Sequence, residues 1–157
     1  MNKMRCLRSL FALCALFLAS TLSAQTTPSR ADSFTIQALK AQPGSNSLYE
    51  IAFIPRDTLA TDAEIVINFP AACALSELEI AGSSDINGGL QLTRDGQQVT
   101  VRRSGLGDAL PPGQRVSLKL GMIGNPEDLN ASYAAEVTVQ SSAQAAPNAT
   151  QRIVIGF

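Results

Sequence analysis

Beyond its first two dozen residues the chain holds one cysteine, Cys73, in the stretch INFPAACALSE (Ile67–Glu77), and it contains no histidine at all. The missing imidazole removes the usual general base, the commonest metal ligand and every Ser-His or Cys-His pair. A reactive thiolate needs a cationic neighbour or a helix N-terminus. Cys73 has Ala72 and Ala74 beside it and no lysine or arginine close in sequence. Two roles remain for it: packing where the chain leaves a strand, or an intermolecular disulfide, because a lone secreted cysteine has no partner in its own chain.

Carboxylates are the other candidate chemistry. Asp57, Asp62 and Glu64 in one region, and Glu127 with Asp128 in another, could form the acid–base pair of a carboxylate-dependent hydrolase. Acids in turns more commonly hydrogen-bond the local backbone, so the expectation is no catalytic residue, no cofactor and no enzyme. The same oxygens could bind calcium, which takes about six to eight oxygen ligands, often from loops. SSDINGG offers Asp85 and Asn87, and GNPEDLN offers Glu127 and Asp128. Neither stretch completes a calcium-loop pattern, and ordinary Asx turns are the plainer expectation. Arg102 and Arg103 could clamp a carboxylate or phosphate. The plainer expectation there is a charged strand end that discourages edge pairing.

The elements that must position these groups show a period of two and no sustained period of 3.6. Apolar residues alternate through Phe34, Ile36 and Ala38; Tyr49, Ile51 and Phe53; Ile65, Ile67 and Phe69; Val116, Leu118 and Leu120; Tyr133, Ala135, Val137 and Val139; and Ile153, Ile155 and Phe157. ELEIAG is a shorter segment of the same kind. Leu90 and Leu92 precede Asp95-Gly96, and Val99 and Val101 follow it, which predicts a tight hairpin centred on the Asp-Gly pair. Pro- and Gly-containing turns separate the segments. The expected fold is all-β, an immunoglobulin-like antiparallel sandwich of about seven to eight strands, each sheet wet on its outer face.

Lys3, Arg5 and Arg8, a short apolar run from Leu10 to Leu18, and small residues Ser20, Ser23 and Ala24 have the layout of a secretory signal peptide. The expected organisation is a signal peptide at 1–24, a flexible leader at 25–32 and one sandwich domain at 33–157, with no stable membrane span after cleavage. Of the 12 basic and 13 acidic residues, three basic ones lie in that signal peptide. The remainder is acidic, which argues against a nucleic-acid partner. A small outer-membrane barrel would also end on an aromatic strand such as QRIVIGF. Its strands need about 9–11 residues and aromatic girdles, and these strands are shorter and poor in aromatics.

With the strands placed, the stretch from Phe34 to Phe157 resembles loosely immunoglobulin-like β-sandwich modules of bacterial and archaeal secreted and cell-surface proteins. The matching residues are the I-x-I-x-F-P strand (Ile65, Ile67, Phe69, Pro70) and a glycine–Asn-Pro turn before a tyrosine strand (Gly121, Asn125, Pro126, Tyr133). The resemblance implies a surface or matrix module and carries no ligand with it. The expected function is a non-enzymatic module, secreted, periplasmic or at the cell surface, that binds a protein or self-associates, with a glycan as the lesser alternative.

Overall fold

The computed structural model describes residues 33–157, so the expected signal peptide and leader lie outside the described residues. Nine strands follow one another: β1 (Thr35–Ala38), β2 (Asn46–Phe53), β3 (Glu64–Asn68), β4 (Ile80–Gly82), β5 (Leu90–Asp95), β6 (Gln98–Arg103), β7 (Val116–Gly124), β8 (Ala134–Gln140) and β9 (Gln151–Gly156). Among the described residues there is no helix, and none is long and apolar enough to cross a membrane.

The strands hydrogen-bond in the order β4-β7-β2-β1-β9-β8-β3-β6-β5. This ribbon folds over on itself, so β4-β7-β2-β1 faces β8-β3-β6-β5 across a shared core, and β9 joins the two halves. Along its length β9 pairs antiparallel with β8. Its last residues pair parallel with β1, through Ile36–Ile155 and Gln37–Gly156.

Three sequence expectations need correction. Among the described residues there are nine strands rather than about seven to eight, and the short segment ELEIAG is one of them, as the three-residue edge strand β4. The sheet is not wholly antiparallel: the first and last strands run side by side in the same direction, and period-two alternation is blind to strand direction. The hairpin also sits one residue later than expected. Asp95 pairs with Gln98, so the loop residues are Gly96 and Gln97, and Gly96 supplies the positive φ of 57° that a two-residue turn needs at its first central position.

The core follows the alternation closely. Tyr49, Ile51, Phe53, Val116, Leu118 and Leu120 from one half meet Ile65, Ile67, Val99, Val101, Ala135, Val137 and Val139 from the other, all buried. Their opposite neighbours on β3 and β8, such as Val66, Asn68, Glu136 and Thr138, are half-buried or exposed. Aromatic rings knit the two halves together: Tyr49 sits edge-on to Phe69 at 5.9 Å and to Phe157 at 6.4 Å. Such contacts contribute about 0.5–1.5 kcal/mol each beyond the area they bury. The interior is apolar and β4 and β5 remain unpaired edges. An outer-membrane barrel is instead closed, with its apolar band outside and a polar lumen.

Candidate docking face

The acids singled out in the sequence are mostly occupied with backbone. Asp85 Oδ2 accepts the Ser117 amide at 2.7 Å and so ties its loop to β7. The Asn87 side chain donates to Asp108 Oδ2 and accepts the Asp108 amide, both at 2.8 Å. Asp128 Oδ1 accepts the Asn130 amide at 2.9 Å, an Asx turn. Asp62 Oδ2 accepts the Ala143 amide, Glu64 lies 3.6 Å from Arg102 Nε, and Asp57 and Glu127 are exposed. Among the described residues no three of histidine, cysteine, aspartate and glutamate are grouped to hold a metal ion.

Arg103 departs from its sequence reading. β6 lies between β3 and β5, so it is no edge, and Arg103 is 2% exposed. Its Nη1 donates to the carbonyls of Leu59 and Ala60, both at 2.8 Å, and its Nη2 to those of Asp108 at 2.6 Å and Asn87 at 3.4 Å. One guanidinium thus gathers three loops at one end of the sandwich. Burial pushes its pKa down, and the charges of Asp108 and Asp62 partly offset that. Gly88 and Gly107 have positive φ, and a Cβ on either would collide with backbone of the opposite loop. Only glycine permits the close approach that the guanidinium spans.

At the other end the buried polar groups include Tyr49, Asn125, Cys73 and Ser47. Tyr49 donates its hydroxyl to Asn125 Oδ1 at 2.9 Å. Asn125 Nδ2 donates to the carbonyls of Lys40 and Gln42, both at 2.8 Å, and its amide donates to Ser45. Asn125 therefore locks the β1–β2 loop onto the end of β7, with both Nδ2 hydrogens and one Oδ1 lone pair used. Cys73 is 1% exposed, its sulfur 4.0 Å from the Tyr49 oxygen. Burial pushes the thiol pKa up, offset in part by the contact with Tyr49, and a protonated buried thiol is a poor nucleophile. We expect a thiol-specific reagent to label Cys73 rapidly only after denaturant is added, and the native protein to run as a monomer on a non-reducing gel. Rapid labelling of the native protein would contradict the packing.

Above the Asn125 cluster, on the outer face of β4-β7-β2-β1, lies a row that the sequence reading missed. The Leu39 amide donates to the Leu48 carbonyl at 2.8 Å, placing Leu39, just past the end of β1, beside Leu48 of β2. Leu48 lies across Gly121 of β7, so near that a Cβ there would come within 2.5 Å of its Cδ2. Gly121 pairs in turn with Ile80 of β4. The register between β2 and β7 shifts at this point, and Met122 is turned outward beside the row. Leu39, Leu48, Ile80 and Met122 are 50%, 43%, 62% and 43% exposed.

Side chains of this size at neighbouring exposed positions on four adjacent strands form one apolar stripe. On the other side, β8, β3, β6 and β5 contribute no exposed large apolar side chain, and Val154 of β9, paired with Ala134 of β8, stands alone there at 64% exposed. The signal in the sequence is an apolar residue at the outward phase of a strand, as Leu48 between Ser47 and Tyr49. What joins four of them is cross-strand register. Lys119 and Glu50 pair in the next row and rim the stripe with charge.

No protein-family model and no curated protein matches the chain. Solved structures do match in shape. A cohesin module from a Clostridium perfringens family 33 glycoside hydrolase is 14% identical, with a TM-score of 0.51 over 80% of this chain and 96% of that one. The full-length major pilin SpaD of Corynebacterium diphtheriae is 12% identical, with a TM-score of 0.50 over 78% of this chain. A Corynebacterium diphtheriae protein described as membrane-anchored is 13% identical, with a TM-score of 0.52 over 83% of this chain. The matched regions are 34% and 37% of those two longer proteins. The chain thus shares the β-sandwich fold of these cohesin and pilin modules.

Proposed function

We propose that the chain is a non-catalytic module of an envelope or extracellular setting, which docks a protein through the apolar stripe on its β4-β7-β2-β1 face. The observation that carries this reading is the stripe itself: four exposed apolar side chains, Leu39, Leu48 and Ile80 in a row across Gly121 with Met122 beside it, next to a polar cluster whose buried groups are paired. Exposed apolar patches rimmed by charge mark interaction surfaces. The titratable groups beneath it are engaged in packing and hydrogen bonding rather than aimed into a cleft.

A protein partner fits better than a glycan, because none of the exposed large apolar side chains is aromatic, and sugar binding draws on exposed rings to stack against. The acidic balance of the mature chain disfavours nucleic acid. The expected signal peptide at 1–24 would deliver the module outside the cytoplasm. Cohesin and pilin modules of similar shape make an assembly role a natural use of the scaffold.

The test compares retention of envelope and secreted proteins by the immobilised wild type and by an Ile80→Glu variant. Ile80 is 62% exposed, so the variant should melt with the wild type. A partner held by the wild type and lost by Ile80→Glu supports docking through the stripe; identical retention by both overturns it.

A further inference from the structure

From the way charge is distributed along the stripe, resting on the docking reading above, we infer that its occupant is a second copy of the same chain. The row begins at Leu39, which Lys40 follows, and ends at Ile80, which Glu79 precedes. Both charged residues are exposed, and neither makes an ion pair among the described residues. A two-fold axis through the middle of the row, between Leu48 and Met122, lays the Leu39 end of one copy on the Ile80 end of the other.

That operation sets apolar against apolar along the row and brings Lys40 of each copy towards Glu79 of the other. An interface of this kind must be complementary to itself, and a row with opposite charges at its two ends is. The order of the row is what makes it so: the same four apolar residues flanked by like charges would repel their own image. β4, the edge strand nearest the row, has only three residues and offers little ladder for edge-to-edge addition, so the copies meet face to face. A contact built on four side chains is smaller than a standard interface, and its dissociation constant is on the order of 10–100 µM. Such weak pairing suits repeated units held at high local concentration.

Sedimentation velocity from about 5 to 500 µM tests this, on the wild type, Lys40→Glu, Glu79→Lys and the double variant K40E/E79K. The wild type should show a reversible, concentration-dependent shift from monomer to dimer. Each single substitution acts twice in a two-fold interface, so it should weaken pairing about fivefold or more. The double variant, which exchanges the two charges, should recover most of the loss with melting temperatures unchanged throughout. A wild type that stays monomeric across the range, or a double variant no better than the singles, overturns the two-fold pairing. If the wild type is monomeric and a different protein is still lost by Ile80→Glu, self-pairing fails while docking through the stripe stands. If Ile80→Glu alters neither sedimentation nor retention, the docking reading fails with it.

Discussion

Replacing Arg103 with alanine should lower the unfolding free energy by about 3–5 kcal/mol and the melting temperature by about 10 °C or more. The side chain is 2% exposed and its donors are shared among four carbonyls from three separate loops. Removing it takes a donor from all four carbonyls; those of Leu59 and Ala60 keep the amides of Leu110 and Ala63, those of Asp108 and Asn87 are left to water, and each orphaned group costs about 1–3 kcal/mol less whatever water recovers. Lysine should rescue little, because one ammonium cannot span carbonyls that the flat guanidinium reaches from both nitrogens. Free guanidinium should rescue more. At tens of millimolar, far below denaturing concentrations, it should raise the melting temperature of Arg103→Ala while leaving the wild type unmoved or slightly lower, because it binds the folded variant in the vacated place. Thermal melts with and without the ion decide the matter. An Arg103→Ala protein within about 1 kcal/mol of wild type would mean that the loops hold together without the clasp.

The second large effect is expected at Asn125. Alanine there takes the acceptor from the buried Tyr49 hydroxyl and one donor each from the carbonyls of Lys40 and Gln42, which keep the amides of Gln42 and Ser45, for a loss of about 2–3 kcal/mol in chemical denaturation. Tyr49→Phe removes one hydrogen bond of the same cluster and should cost about 1–2 kcal/mol. Aspartate is the sharper substitution. It keeps an acceptor for Tyr49 but sets a carboxylate against two carbonyl oxygens, so its folded pKa is raised above the unfolded value. A raised acid contributes its stability below the unfolded pKa and loses it as pH rises, so Asn125→Asp should be less destabilised near pH 4 than at pH 7. Because Asn125 ties the β1–β2 loop to β7, its loss should also loosen Leu39 and Leu48. Docking should then weaken more than the stability loss alone explains, whereas Arg103, at the opposite end, should leave docking nearly intact.

These two residues also mark where reading the sequence stops. Inward positions such as Tyr49, Ile51, Ile65, Ile67, Leu118 and Val137 are visible in the chain because burial on one face of a strand imposes a period of two. The Phe69-Pro70 strand end is visible for the same local reason. Arg103 is legible only in part: it stands in the inward phase two residues after Val101, but its carbonyl partners at Leu59 and Ala60 lie 44 and 43 residues away, so what the buried guanidinium holds is not. Asn125 is readable as part of a turn but not as a buried hub, because its partner Tyr49 is 76 residues distant. Cys73 shows the opposite case: its alanine neighbours foretell packing, and the fold places it in the core. The stripe falls between the two. Each outward leucine or isoleucine is legible singly, but Leu39, Leu48, Met122 and Ile80 become one surface only when β4, β7, β2 and β1 come into register.

The claim that this stripe is where the molecule meets its partner is tested most directly by one comparison: the amount of partner, whether a second copy or another protein, retained by immobilised wild type and by Ile80→Glu at equal melting temperature. Burying a new carboxylate without a counter-charge in a small apolar contact costs several kcal/mol, so retention should fall at least tenfold. Undiminished retention by a correctly folded Ile80→Glu protein would show that binding lies elsewhere on the sandwich.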